Sequence, residues 1–124
     1  MKDFLNEFAS YYSKLSIQRF FNLTKNIFSF FISSVFKKSV NIGFPISITI
    51  EPTNYCNLKC SECPSGSGLL TREKGYIDFN LYKKIIDEIY KKTIYLTLYF
   101  QGEPYLHPRF FELIKYASDK KMFV

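Results

Sequence analysis

Tryptophan is absent from the chain, histidine occurs once, and cysteine three times, an odd count. An odd number of thiols cannot all be paired as disulfides, which argues against a disulfide-stapled scaffold and fits a reducing cytoplasm better than secretion. A lone histidine leaves little material for a His-rich metal site. No apolar run is long enough to cross a membrane: Ile27–Phe36 is about half of the ~20 residues required, and Asn22, Lys25 and Asn26 interrupt its extension toward the N-terminus. Asp3 and Glu7 precede that run and no small-residue cleavage site follows it, so it is a poor signal peptide. Internal repeats and low-complexity linkers are also missing.

What is present is aromatic and basic. With 14 Phe and 10 Tyr in 124 residues and 47% hydrophobic content, the chain can build one modest globular domain. The formal charge of +6 comes from dispersed pairs, Lys37-Lys38, Lys83-Lys84, Lys91-Lys92 and Lys120-Lys121, near element ends or on helix surfaces. That pattern describes a solvated basic surface, and no nucleic-acid partner is expected.

Residues 1–40 read as helical, with Phe20, Leu23, Ile27, Phe30/Phe31 and Ser34/Val35 recurring at helical spacing. The primary reading of residues 1–43 is a helical prologue packed through this stripe on the following domain. Membrane-surface contact by residues 17–38 is the secondary one. Asn41–Pro45 is the boundary, and residues 44–124 form the second unit. Ile46–Glu51 alternates apolar and polar residues as a strand, and Pro52 ends it. Asp78 caps a helix whose buried stripe is Tyr82, Ile85/Ile86 and Ile89. Thr93–Phe100 is a second strand, with Ile94, Leu96, Leu98 and Phe100 on one side. Leu106–Arg109 opens another helix, with Pro108 in its first turn and Phe110, Leu113/Ile114 and Ala117 inward. Met122–Val124 begins a third strand. His107 reads as a residue near a helix start rather than a ligand.

All three cysteines, Cys56, Cys60 and Cys63, fall in one polar loop after the first strand, spaced C-x3-C-x2-C. Close thiolates are soft ligands suited to iron–sulfur clusters or zinc. Structural zinc usually takes four ligands, and a bacterial ferredoxin run has a fourth cysteine and a different order of spacings. A structural zinc module and an iron–sulfur electron-transfer or accessory module both stay open on spacing alone.

With its flanks Glu51-Pro52-Thr53-Asn54 and Asn57-Leu58-Lys59, the array resembles the signature of the radical S-adenosylmethionine (radical SAM) superfamily, in the branch whose members often carry a SPASM domain. The family often has an aromatic residue before the last cysteine, where this chain has Glu62. The resemblance implies a [4Fe–4S] cluster held by Cys56, Cys60 and Cys63, with one iron open to S-adenosyl-L-methionine (SAM). It also implies contact between the SAM methionine moiety and Gln101-Gly102-Glu103-Pro104, which follows the second strand. Arg72 and Gly75 stand where the family often has a basic residue and a glycine, although a plain surface turn accounts for them equally.

Further implications are an external electron donor, a peptide or protein as a possible substrate, and cytoplasmic location. No catalytic residue beyond the cofactor contacts is indicated. The expected fold is α/β, the N-terminal portion of a partial (β/α)6 TIM-like barrel preceded by a helical segment. In barrels functional groups gather on the loops after the strands, which would set the two motifs side by side. At roughly 30 residues per βα unit, residues 46–124 hold two units and the start of a third strand, so the chain reads as the N-terminal part of a longer enzyme.

Overall fold

The computed structural model describes residues 14–124; the part of the expected prologue before Lys14 lies outside them. The element order is α1 (Ile17–Phe36), β1 (Ser47–Thr49), α2 (Phe79–Ile89), β2 (Tyr95–Thr97), a 3-10 turn (Pro104–Leu106) and α3 (Phe110–Asp119). β1 and β2 are parallel, with Ser47 opposite Tyr95, Ile48 opposite Leu96 and Thr49 opposite Thr97. On the other side of β2, Phe123 makes a parallel bridge to Tyr95. There the Leu96 N–H donates to Phe123 O at 2.7 Å, and the Phe123 N–H to Ile94 O at 2.9 Å.

The strands are shorter than their alternation suggests. Pro45 and Pro52 bracket β1 and have no N–H for a ladder. β2 gives way to a bend at Phe100, which therefore points into solvent while Ile94, Leu96 and Leu98 are buried. The core joins these residues to Ile50, to Tyr82, Ile86 and Ile89 of α2, to Phe110, Leu113 and Ala117 of α3, and to Met122. The Tyr82 hydroxyl crosses between the two helices to donate to Leu113 O at 2.9 Å, and burial pushes its pKa up. Asp78 caps α2, accepting from the Leu81 N–H at 2.8 Å. The chain makes the 3-10 turn before α3, so Pro108 precedes the helix instead of lying in its first turn.

α1 departs most from expectation. It packs on the domain, but through polar residues. Arg19, Asn22 and Ser29 are buried, while Ile17, Phe20, Phe21, Ile27, Phe28, Phe30, Phe31, Val35 and Phe36 are exposed. Segment 40–44 runs back along the polar face. The Val40 N–H donates to Ser33 Oγ, Ile42 N–H to Ser29 Oγ and Phe44 N–H to Asn22 Oδ1, at 3.0, 3.0 and 2.7 Å. Asn22 and Asn26 also donate to Phe44 O.

Arg19 finishes the attachment. It gives all five N–H groups to the carbonyls of Lys14, Tyr90, Lys120 and Lys121. Tyr90 and Lys120 follow α2 and α3, so the guanidinium rests on the negative ends of two helix dipoles. Backbone groups that would otherwise be orphaned at those ends dictate a polar contact here, and the apolar stripe is left outward.

Candidate functional site

The cysteine loop leaves β1 through a collar of side chain–backbone bonds. Thr53 and Asn54 are buried. Thr53 Oγ1 donates to Gly75 O at 2.8 Å and accepts from the Tyr55 N–H at 3.1 Å. Asn54 donates to Glu73 O and accepts from the Gly75 N–H, both at 2.7 Å. The Ile77 N–H donates to Pro52 O, and Thr53 bridges antiparallel to Tyr76. Short polar side chains favour this capture of nearby backbone, and here they fasten residues 73–77 to residues 52–54. Gly75 thus serves the collar, having no Cβ neighbour within 4 Å that would demand glycine.

The second motif meets the first at this collar. Gly102 adopts φ +79°, and a Cβ there would lie 2.5 Å from Thr53 O, 2.7 Å from Asn54 Cα and 2.8 Å from Tyr55 O. Only glycine permits that approach. The next residue seals it, with the Glu103 N–H donating to Tyr55 O at 2.7 Å. The Glu103 carboxylate caps the 3-10 turn through the Tyr105 N–H, and Pro104 opens that turn. Arg72 reaches across with its Nη2 2.6 Å from both oxygens of Glu51 and 3.4 Å from Gln101 Oε1. Residues ending both strands therefore share one polar cluster. His107 lies beneath, buried, its Nδ1 accepting from the Arg109 N–H at 3.1 Å and its Nε2 3.3 Å from Ile77 O. Both ring nitrogens are engaged by backbone, which suits a positioning role for Tyr76, whose ring meets the imidazole edge-on at 5.5 Å.

The thiol-bearing part is different in kind. Residues 54–60 form no helix or strand, and turns follow. All three cysteines are free, Cys60 exposed and Cys56 and Cys63 half-buried. Cys56 Sγ accepts from the Leu58 N–H at 3.4 Å. The Cys63 N–H donates to Cys60 O at 3.3 Å, and the Ser67 N–H and hydroxyl both donate to Cys63 O at 2.9 Å. Gly66 lies on Cys60, where a Cβ would come 2.7 Å from the Cys60 nitrogen and 2.8 Å from its oxygen. The backbone N–H of Gly66, then that of Ser65, holds the Cys63 thiol below its ordinary pKa against a smaller desolvation effect, with a further contribution from the Ser65 hydroxyl. That hydroxyl is buried and makes no hydrogen bond of ordinary geometry. Backbone donors aimed at a sulfur favour the thiolate, the form that binds metal.

Among the described residues, no three His, Cys, Asp or Glu side chains form a group that could hold a metal ion. The donor set fits a cluster by its chemistry: three thiols on one exposed loop whose two ends are fastened. Of the residues singled out in the sequence, the structure brings Gln101–Pro104 and Arg72 to the collar and leaves the three sulfurs apart. Thr53, Asn54 and Gly66 carry structural roles that a motif search for ligands does not assign. The signal for them in the sequence is the clustering of short polar residues and glycine on either side of the thiols.

The chain is 39% identical over 74 residues to the mycofactocin maturase MftC of Mycobacterium tuberculosis, covering 60% of this chain and 18% of that protein. It is 30% identical over 77 residues to the PqqA peptide cyclase of Bradyrhizobium diazoefficiens, covering 62% and 20%. It is 29% identical over 76 residues to the antilisterial bacteriocin subtilosin biosynthesis protein AlbA of Bacillus subtilis, covering 61% and 16%. No protein-family model and no solved structure matches the chain. With the C-x3-C-x2-C array and its flanks, these similarities bear out the resemblance of the chain to radical SAM peptide-modifying enzymes, at modest identity over about 60% of its length. It spans about a fifth of the length of the curated relatives it matches.

Proposed function

We propose that this chain provides the cluster- and SAM-binding part of a radical SAM enzyme acting on a peptide. The observation that carries the reading is the contact of Gly102 and Glu103 with Thr53–Tyr55, which sets the Gln101–Pro104 loop directly against the root of the cysteine loop. Cys56, Cys60 and Cys63 are the residues that would hold a [4Fe–4S] cluster. Such a cluster, when bound and reduced, would supply the electron for reductive cleavage of SAM. The chain's own residues position the cofactors. The collar fixes both ends of the thiol loop, Gly66 lets it fold on itself, and the Gln101–Pro104 loop offers acceptors for the SAM ammonium.

A peptide substrate is supported by two relatives, the PqqA peptide cyclase and the bacteriocin biosynthesis protein AlbA. Parallel β1 and β2, each followed by a loop of this cluster and then a helix, support the start of a (β/α)6 barrel. Three free thiols fit the reducing cytoplasm, where an external reductant supplies the electrons.

Zinc is the rival for the same thiols. Anaerobic loading of the chain with iron and sulfide, in competition with zinc, separates the two. About four irons and four sulfides per chain are expected. One zinc and no sulfide would turn the site into a structural module.

A further inference from the structure

We propose that α1 docks the protein on an anionic lipid surface. This goes beyond the cluster site and does not rest on it. The helix is held by its polar stripe: Arg19, Asn22 and Asn26 donate to backbone of the domain, and Ser29 and Ser33 bond to backbone of the returning segment at Ile42 and Val40. Those bonds prevent the helix from rolling, so its opposite face is apolar by construction. On that face Phe20, Phe21, Ile27, Phe28, Phe30 and Phe31 are each more than half exposed, five of the six being aromatic. No helix of the described residues is long and apolar enough to cross a membrane. A helix of this kind lies in the interfacial plane, apolar face down, with the domain's polar attachment taking the place of a solvated upper face.

Charge identifies the occupant. From Lys14 to Ile50 the sequence contains no Asp or Glu, and its cations are Lys14, Arg19, Lys25, Lys37 and Lys38. Lys25, Lys37 and Lys38 are exposed on or beside the helix. A concavity of about 450 Å³ lined by Phe21 and Lys25 brings in Lys91 and Lys92, also exposed. Among the described residues none of these five exposed lysines pairs with a carboxylate; the ion pairs use Arg72, Arg109, Lys115 and Lys120. A phenylalanine face rimmed by cations alone complements acyl chains under anionic headgroups.

The test is co-sedimentation of the purified 124-residue chain with vesicles of phosphatidylcholine alone and of phosphatidylcholine with phosphatidylglycerol. Binding to the anionic vesicles should be at least about tenfold tighter and should weaken as salt rises. Phe28→Asp with Phe31→Asp should reduce it about tenfold or more while leaving the circular dichroism of the fold unchanged. Lys37→Glu with Lys38→Glu lies beyond the attached turns, so it tests the charge requirement even if the first pair unfolds. It should remove the preference for anionic vesicles. Equal binding to both vesicle types, or none to either, would overturn the proposal. So would self-association in sedimentation velocity that Phe28→Asp with Phe31→Asp abolishes in the absence of lipid, since the face would then belong to a second copy.

Discussion

The collar and the thiol loop occupy neighbouring positions after β1 but are built on opposite terms. In the collar, buried Thr53 and Asn54 commit their side chains to the backbone of residues 73–75, and Gly102 presses its backbone against theirs. In the loop, Cys56, Cys60 and Cys63 are exposed or half-buried, and their sulfurs make few bonds. The protein's own bonds determine the root, whereas few of them reach the three sulfurs. On the proposed reading such a site separates stability from metal binding, because the residues that hold the fold are not the thiols that would hold the cluster.

Breaking one side without the other is therefore possible. Cys60→Ala should give the largest effect on function, complete loss of the intact cluster measured as iron and sulfide content. It should change stability by no more than about 0.5 kcal/mol, since the side chain is exposed. Gly102→Val should act on the other side and on both properties. Its Cβ would strike Thr53, Asn54 and Tyr55 from a left-handed backbone, costing about 2–3 kcal/mol in denaturant unfolding and disturbing cluster assembly through the collar. Gly68 is the control, with φ +76° and nothing within 4 Å, so Gly68→Ala should cost only about 1 kcal/mol of backbone strain.

Asn54→Ala comes next, losing two bonds and leaving Glu73 O and the Gly75 N–H unpaired, for about 1–3 kcal/mol in the same measurement. Arg72→Ala should be the mildest. Its ion pair with Glu51 is half exposed on the arginine side, and the loss should stay below about 1 kcal/mol. A larger loss for Arg72→Ala than for Asn54→Ala would reverse the comparison.

Several of these features are legible in the sequence. Asp78 as a cap, the Tyr82–Ile86–Ile89 stripe and the Phe110–Leu113–Ala117 stripe follow from spacing, because α2 and α3 bury apolar side chains against a sheet. α1 has equally clear periodicity, and the face it buries is the other one. Hydrophobic spacing defines a stripe but not which side meets the protein, and orphan carbonyls at the ends of α2 and α3 draw Arg19 inward. The role of Gly102 is legible as a close backbone approach. That it approaches Thr53–Tyr55, rather than open space for a ligand, depends on how two loops distant in sequence meet. Phe100 continues the alternation of its strand, yet the bend there turns it out.

Whether the three thiols hold a cluster with an open iron next to the loop that receives SAM is tested most directly by electron paramagnetic resonance. Spectra of the anaerobically reconstituted, reduced 124-residue chain are recorded with and without SAM. The expected result is the signal of a reduced four-iron cluster whose g-values shift when SAM is added, with the signal absent in Cys60→Ala. A four-iron signal that SAM leaves unchanged, or one that persists in Cys60→Ala, would contradict the assignment.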